Sequence, residues 1–318
     1  MGWHKLKCVL SAVLAAVNLF LLYTVREQAR ALDYIPEEAV EKLIALLEED
    51  SVFLAEDALD RAKQSPVIYG GDTDEAYYAK VAEALSDSTL NLSFTTPDGV
   101  VLTVEDGARF AFASGFGIRY EAAGFAQLLT EGTFFEMDVS GFAENGRLLL
   151  LDAKESRGVT ESVRQFLSEA YGTADRSAPD ILDYNVVHCF TDPQTKVRYA
   201  VCVQKIKDRE ITNLKAAFAV LDGTVIGMNG RWCFESVGNT YSAQLYDQLH
   251  ILYSVKERIG EENGTAVTVI DSVSLAYAVY YHADSDGFYL IPTWRVTTDD
   301  GKEFLFNAVD GRYKQPDA

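Results

Sequence analysis

The side chains that most often carry chemistry are sparse in this sequence and lie far apart along it. The four histidines, His4, His188, His250 and His282, belong to no recognised zinc-ligand motif and therefore predict no metal site. The motifs H-E-x-x-H, G-x-S-x-G and C-x-x-C and the Walker loop do not occur in the sequence. We therefore predict no catalytic residue, no metal and no cofactor.

Two short glycine-containing stretches resemble ligand-binding loops only in part. Gly115 and Gly117 begin a dinucleotide-binding motif, but Tyr120 stands where the third glycine is needed. The stretch DSDG at residues 284–287 resembles part of a calcium loop, yet a histidine and a threonine occupy two of the ligand positions that this register requires. We interpret the first stretch as structural and the second as a hairpin turn.

The charge and the cysteines limit the function further. The chain has 318 residues with 48 acidic and 28 basic side chains, a formal net charge of −20 that argues against nucleic acid as a partner. Cys189, Cys202 and Cys233 lie among apolar strand residues and are predicted to be core side chains. If residues 192–196 close a hairpin, Cys189 faces Ala200 and not Cys202, so a disulfide is not expected.

Aromatic side chains cluster around one predicted hairpin near the C-terminus. One interpretation is a sheet whose aromatic face packs on its helix. The other is that the opposite face is a docking surface, because Tyr and Trp are enriched at protein interfaces. The second interpretation makes Tyr289 and Trp294 candidate partner-binding residues. The cluster comprises Tyr277, Tyr280, Tyr281, Phe288, Tyr289 and Trp294.

The N-terminus predicts a membrane anchor. Lys5 and Lys7 precede eighteen uncharged residues, 8–25, and a helix of that length spans roughly the 30 Å hydrocarbon core of a bilayer. The basic residues before the run favour a cytoplasmic tail, which places the remainder outside the cell membrane. Asn18 and Phe20, within this run, are predicted to contact a partner helix. An alternative is a signal peptide cleaved after the A-x-A sequence at residues 29–31.

Beyond the anchor, helix and strand patterns alternate and predict an α+β fold. The strands predicted from β-like runs of residues include 90–95, 109–113, 134–139, 197–207 and 288–296. The predicted organisation is a tail and anchor at 1–26, an N-terminal α+β ectodomain at 33–155 and a C-terminal one at 156–318. The C-terminal part contains two similar blocks, about 160–235 and 241–313, each with a helix stripe followed by strands and a final Asp-Gly. We predict that each block lays one helix across an antiparallel meander, a packing of the PepSY or cystatin kind. Chance similarity between the blocks is the alternative.

The order of several stretches along the chain resembles one known family. MGWHKLK at residues 1–7, with NLFLLY at 18–23 and YIPEE at 34–38, resembles the beginning of the YycI proteins of Gram-positive bacteria. LIPTWRV at residues 290–296, followed by FNA at 306–308 and Asp310-Gly311, is similar to the ending that this family shares with PepSY-like modules.

The resemblance implies a regulatory function without catalysis. Such a protein is anchored in the cell membrane, associates with a sensor histidine kinase, often beside a YycH-like protein, and modulates a two-component system that controls cell-wall metabolism. Two alternatives stay open from the residues. One is a PepSY-like, non-catalytic envelope protein that inhibits a protease or assists assembly, and the other is an extracytoplasmic hydrolase whose site is assembled from scattered residues.

Overall fold

The structure is a computed structural model that describes most of the chain beyond residue 36. The described residues are 37–59, 67–72, 75–86, 88–96, 99–131, 134–173, 182–235, 237–242, 244–263, 267–281 and 287–314, and Asn18 alone before them. The predicted anchor at residues 8–25, including Phe20, and the predicted turn at 284–286 therefore lie outside the described residues, apart from Asn18, which is helical and exposed.

Six α-helices and sixteen strands are described. The helices are α1 (Glu37–Glu48), α2 (Glu75–Ser86), α3 (Ala126–Glu131), α4 (Gly141–Glu144), α5 (Ala153–Thr173) and α6 (Gln248–Asn263). The first eight strands are β1 (Val52–Leu54), β2 (Val67–Asp72), β3 (Leu90–Thr96), β4 (Gly99–Val104), β5 (Arg109–Ala113), β6 (Gly117–Glu121), β7 (Leu149–Leu150) and β8 (Asp183–Thr191). The other eight are β9 (Arg198–Ile206), β10 (Arg209–Leu221), β11 (Thr224–Arg231), β12 (Asn239–Ser242), β13 (Thr268–Tyr281), β14 (Gly287–Thr298), β15 (Glu303–Asn307) and β16 (Tyr313–Lys314).

The described residues divide into two compact units. Unit 1 contains those before Pro66 together with Gln244–Ser274 and Trp294–Lys314, and unit 2 contains Val67–Ala243 and Leu275–Thr293. In unit 1, α1 packs against α6, and β1 pairs in parallel with the first residues of β13. The end of β14 belongs to the same unit, as do β15 and its antiparallel partner β16.

Unit 2 is built on one large mixed sheet. Its strand order is β12-β2-β14-β13-β10-β11-β6-β5-β4-β3, and β9, β8 and β7 branch from β10. Most neighbours are antiparallel, but β10 and β13 pair in parallel at Ile211 and Tyr277. Helices α2 and α5 pack against each other, and α5 lies on strands β8 to β11. Because the sheet is covered on both faces, β9 is buried at almost every position.

This topology corrects the predicted fold class of helix-plus-meander units. The sixteen strands join in one mixed sheet, in which strands from distant parts of the chain are neighbours. β2, near residue 70, lies between β12 and β14, and β6, near residue 120, lies beside β11. The long strands β10 and β13 present backbone groups along both edges, so each can pair with more than its neighbour in sequence.

No helix in the described part of the chain is both long enough and apolar enough to cross a membrane. The anchor predicted at residues 8–25 is outside that part and stays a prediction.

The largest core cluster fills one side of the sheet in unit 2. It combines the buried stripe of α2, the inward face of α5 and alternate residues of β4, β5, β6, β9 and β10. Aromatic rings dominate the centre, where Phe218 lies edge-on to Trp232 with ring centroids 5.4 Å apart. A second cluster on the other side surrounds Phe134, Phe142 and Tyr199, whose rings pack at 5.4–5.7 Å.

One buried carboxylate organises the turn between β8 and β9. The Oδ1 atom of Asp192 accepts hydrogen bonds from the backbone amides of Gln194, at 2.8 Å, and Thr195, at 3.4 Å, and its Oδ2 pairs with the guanidinium of Arg147. Burial alone raises the pKa of this carboxyl, but the Arg147 guanidinium and the two amides outweigh burial and hold the pKa below its usual value.

This arrangement gives a pH-dependent stability. A depressed pKa contributes stability that is present above the unfolded-state value of about 4 and is lost as the pH falls through the folded-state value. We expect Asp192→Asn to cost about 1–3 kcal/mol at neutral pH and less in acid. Urea unfolding at several pH values measures this. In the matched control Glu161→Gln, the exposed pair with Arg164 is removed, and we expect a change below about 0.5 kcal/mol; equal costs for the two variants would contradict the prediction.

Candidate functional site

Unit 1 contains a cleft of about 570 Å³ beside the N-terminal half of α6. One residue of its lining comes from α1, and two come from the turn after β15. The residues that line it are Leu43, Tyr246, Leu249, His250, Ile251, Tyr253, Ser254, Asp310 and Gly311. Most of these side chains are aliphatic or aromatic, and the polar ones include His250, Ser254 and Asp310.

The start of α6 sets the shape of the cleft. Asp247 is the N-cap residue, because its Oδ1 accepts the backbone N–H of His250 at 3.0 Å. Tyr246 and Ile251 occupy the flanking positions at which a hydrophobic staple forms, and both line the cleft. The cap therefore fixes the direction in which the chain enters α6 and the position of the Tyr246 ring.

Backbone hydrogen bonds on both sides hold Tyr246 in place. Its N–H donates to the carbonyl of Ala308 at 2.8 Å, and its carbonyl accepts the indole Nε1–H of Trp294 at 2.8 Å. The ring lies against Gly311, where a Cβ atom would come within 3.5 Å of Tyr246 Cδ1 and where φ is +71°. The positive φ favours glycine at position 311, whereas the 3.5 Å distance is an ordinary van der Waals contact.

His250 lies at the mouth of the cleft between an aromatic ring and a carboxylate. Its Nδ1 is 3.2 Å from Asp247 Oδ1, and its ring is edge-on to Tyr246 with centroids 5.7 Å apart. The hydroxyl of Ser254 donates to the backbone carbonyl of His250 at 3.5 Å, and no contact between that hydroxyl and the imidazole accompanies it. This geometry orients a histidine for binding, and it does not assemble a nucleophile with its base.

An ion pair joins the two helices behind the cleft. Lys256 Nζ on α6 and Asp50 Oδ2, just after α1, are 2.9 Å apart, and the hydrogen bond that Lys256 donates to Asp50 raises the pKa of Lys256. α1 buries Val40, Leu43 and Leu47 along one stripe, and Leu43 reaches the cleft. The buried stripe of α1, which repeats with the period of a helix, therefore supports the wall of the cleft.

The chemistry of the cleft suits an apolar group that has a positive charge beside it. Leu43, Leu249 and Tyr253 offer apolar surface, and half of the Tyr253 side chain surface is exposed, at 50%. Asp310 supplies a carboxylate to the lining, and the Asp247 carboxylate lies 3.2 Å from Nδ1 of the lining residue His250. Tyr rings that are partly exposed beside apolar side chains are typical of protein-recognition surfaces.

Loss of the helix cap is expected to weaken unit 1. Asp247→Ala removes the acceptor of the His250 amide, and we expect the free energy of unfolding to fall by about 1 kcal/mol. Asp247→Ser restores an acceptor at the same position and should recover most of that loss. Chemical denaturation of the three proteins measures the effect, and equal stability of Asp247→Ala and the unchanged chain would show that the cap contributes nothing.

The structure places the four predicted partner-binding residues in different environments. Tyr289 on β14 is half-buried in unit 2, with its ring 6.2 Å from that of Tyr241 on the edge strand β12. Trp294 is only 3% exposed in unit 1, where its indole supports Tyr246 at the cleft. Asn18 is exposed, and Phe20 lies outside the described residues. Of the three described residues, Trp294 is the one that contacts a residue of the cleft.

The cleft residues themselves were missed by sequence reasoning. The dipeptide Tyr246-Asp247 before an apolar helix stripe is a recognisable staple and cap, and that signal was present in the sequence. The meeting of this helix start with Leu43 and with the turn at 310–311 depends on chain segments that are more than 50 residues apart, so no local pattern contains it.

The prediction that the three cysteines are core side chains is confirmed. Cys189, Cys202 and Cys233 are free and buried, and Cys189 pairs with Ala200 as the hairpin predicted. Burial raises the pKa of all three thiols. Gly115 has a φ of +75° in a single 3₁₀ turn between β5 and β6. Among the described residues, no group of three or more His, Cys, Asp or Glu side chains lies close enough to hold a metal.

Comparison with known proteins adds a likeness to solved structures and no family. No protein-family model matches this chain. No curated protein matches it either. Among solved structures, the chain is similar to an uncharacterized protein from Eubacterium rectale, known from a crystal structure at 1.45 Å resolution. The two are 10% identical with a TM-score of 0.48 over 87% of this chain and 98% of the other, and no functional argument is drawn from that likeness.

Proposed function

We propose that this protein is a membrane-anchored, extracytoplasmic regulator whose unit 1 cleft binds a segment of a sensor histidine kinase. The observation that carries the proposal is the cleft itself, with exposed tyrosines, aliphatic side chains and a histidine beside a helix cap. The apolar run at residues 8–25 and the resemblance to YycI proteins support the anchor and the choice of partner. The protein modulates the kinase without performing catalysis.

The charges of the site select the kind of segment that fits. The chain has a net charge of −20, Asp310 lines the cleft and Asp247 contacts the lining residue His250, so a basic side chain is favoured next to the bound apolar one. We therefore propose that the kinase contributes an extracytoplasmic segment with a Lys or Arg beside a large apolar residue. Binding regulates the kinase only if this protein binds the segment more tightly in one conformation of the kinase than in the other.

A cross-linking pull-down from native membranes tests the proposal. We expect the unchanged chain to recover a sensor histidine kinase, and Tyr253→Ala to recover roughly 5- to 30-fold less, as for a tyrosine at the centre of an interface. Tyr241→Ala is the matched control, because Tyr241 in unit 2 is 48% exposed and Tyr253 is 50% exposed. Equal recovery by both variants would remove the cleft from the proposal.

The membrane contact is tested separately. Asn18→Leu removes the amide that is predicted to bond to a partner helix, an interaction worth about 0.6–2 kcal/mol, so we expect association to weaken roughly 3- to 30-fold. Ser11→Leu, in the same apolar run, is the control for a change in hydrophobicity. A form beginning at Leu32 should still recover the kinase through the cleft, although less efficiently; recovery of no kinase by any form would overturn the choice of partner.

A further inference from the structure

The free edge of β3 lies at one end of the large sheet in unit 2. In the strand order, β3 pairs with β4 on one side, and no described strand pairs with its other side. Residues 91–95 are all exposed, and Leu92 and Phe94 project from the same face with 54% and 43% of their surface accessible. An edge strand of this kind offers unpaired backbone N–H and C=O groups together with apolar side chains.

β3 lacks the features that usually keep sheet edges apart. It has seven residues, whereas the other strands with a single described partner, β1, β7, β12 and β16, have between two and four. It contains no proline and no charged residue, and the irregularity in its pairing with β4 is confined to residues 90–92. The remaining residues, 92–96, are regularly paired and present a straight template for another strand.

The distribution of charge indicates which strand would pair there. The chain carries a net charge of −20, yet the ten residues 88–97 contain no ionisable side chain. A basic partner would find no carboxylate among the side chains of the strand, and the nearby Glu83 carboxylate already accepts the Leu90 N–H at 3.1 Å. Two copies of the chain, which repel each other elsewhere, could approach at this strip without placing like charges directly opposite each other.

We propose that β3 pairs with β3 of a second copy of this chain and forms a two-fold symmetric dimer with a continuous sheet. Two-fold symmetry requires antiparallel strands in which the pairing of residue i with residue j is repeated as j with i. The register centred on Ser93 places Leu92 of each copy opposite Phe94 of the other, on one face. Aromatic–aliphatic cross-strand pairs of this kind stabilise sheets.

The face behind these residues favours the same register. Leu92 pairs with Thr103 on β4 and Phe94 pairs with Val101, and Val101 pairs in turn with Ala111 on β5. Val101, Thr103 and Ala111 are half-buried, so they continue the apolar surface inward from the edge. In the dimer, the two such surfaces lie side by side and shield the four central side chains from water.

Disulfide trapping tests the register directly. Across an antiparallel pair, opposite Cβ atoms are about 4.5–5.5 Å apart, so Ser93→Cys in the full-length chain should form a covalent dimer under mild oxidation. Thr95→Cys is the matched control, because it is exposed on the same strand but is about 13 Å from its symmetry mate in this register. The unchanged chain gives the background from its own cysteines. Trapping at Thr95→Cys and not at Ser93→Cys would overturn the register.

Sedimentation of the full-length chain in non-ionic detergent tests the dimer itself. Phe94→Lys places a charge in the strip at an exposed position, and we expect it to weaken dimerisation at least about tenfold without loss of folding. Raising the salt concentration should strengthen the dimer of the unchanged chain, because salt screens the repulsion between two acidic molecules.

Two results would overturn the proposal. One is a monomer at every concentration together with no trapped dimer from Ser93→Cys. The other is protection of the β3 amides from hydrogen exchange only when the kinase is added, which would assign the edge to that partner. Neither result bears on the cleft, since the variant that tests the cleft, Tyr253→Ala, lies in unit 1 and the β3 variants lie in unit 2.

Discussion

Replacement of Phe218 by alanine is expected to lower the free energy of unfolding by about 3–5 kcal/mol, the usual cost of removing a buried aromatic ring. Phe218 lies in β10 with no exposed surface, and its ring packs edge-on against Trp232 at 5.4 Å and against Phe166 of α5 at 6.3 Å. Alanine would leave a cavity between the sheet and the helix, which the surrounding rings can fill only in part. Because domains are stable by roughly 5–15 kcal/mol, a large share of the total would be lost.

Urea unfolding followed by tryptophan fluorescence measures this effect, since Trp232 reports on the cavity itself. The matched control is Phe53→Ala in β1, where the phenylalanine is 41% exposed, and we expect a loss of about 1 kcal/mol or less. Phe218→Leu should fall between the two, because it refills part of the space. A loss below about 1 kcal/mol for Phe218→Ala would mean that α5 does not pack on β10 as described.

Strand positions were largely readable from the sequence. Alternation of apolar and polar residues predicts Arg109–Ala113 with its observed bounds. It also predicts the strands near residues 90, 200 and 290, with ends that differ from the observed ones by a few residues at most. Such patterns are reliable here because each of these strands buries at least one face against helices or aromatic rings. The pattern indicates which face of a strand is buried, but it does not indicate which other strand pairs with it.

The order of the strands could not be read in the same way, which is why the predicted helix-plus-meander units were wrong. β1 pairs in parallel with β13, more than 200 residues later in the chain, and Gly70 of β2 lies between Asn239 and Tyr289. A parallel or long-range pairing depends on which edges remain free after the local hairpins have formed. Nothing in the residues near β2 distinguishes pairing with β14 from pairing with β3.

The stretch from Phe134 to Val139 shows how alternation can mislead. It was predicted as a strand, yet the chain forms turns there while it buries Phe134 on Tyr199. The side-chain amide of Asn229 donates to the carbonyls of Phe134 at 3.2 Å and Met137 at 3.1 Å. A side chain therefore satisfies the backbone groups that a neighbouring strand would otherwise satisfy.

The two Asp-Gly pairs that suggested a duplication form different turns. Asp222 and Gly223 both have positive φ, 48° and 85°, and close a two-residue hairpin between β10 and β11. Asp310 and Gly311 belong to a longer loop, in which the Gly311 amide donates to the Asn307 carbonyl and the glycine contacts Tyr246 of the cleft. The dipeptide predicted a turn in both places, and tertiary contacts decided its type and its role.

Substitution of Gln204 is expected to have the second large effect on stability. Gln204 is fully buried in β9, where its Nε2 donates to the Cys233 carbonyl at 2.8 Å and its Oε1 accepts the Cys233 N–H at 2.7 Å. The Gln204 side chain thus makes the two hydrogen bonds to the backbone of Cys233, just after β11, that a neighbouring strand would otherwise make. A buried glutamine directly after the apolar run at residues 199–203 has such a role, but its partner, 29 residues away, is not visible in the sequence.

Gln204→Leu keeps the volume but leaves the Cys233 N–H and C=O without this partner in the core, and we expect a loss of about 2–5 kcal/mol at all pH values.

Gln204→Glu distinguishes the loss of these hydrogen bonds from a poor fit of the new side chain. A buried glutamate can both donate to and accept from Cys233 only when it is protonated, so its pKa should rise above the unfolded value of about 4.3. Its stability should then approach that of the unchanged chain in acid and fall as the pH rises through the folded-state pKa. Urea unfolding of the three proteins between pH 4 and pH 8 measures this difference. If Gln204→Glu and Gln204→Leu were destabilised equally at every pH, hydrogen bonding to Cys233 would not be the source of the stability.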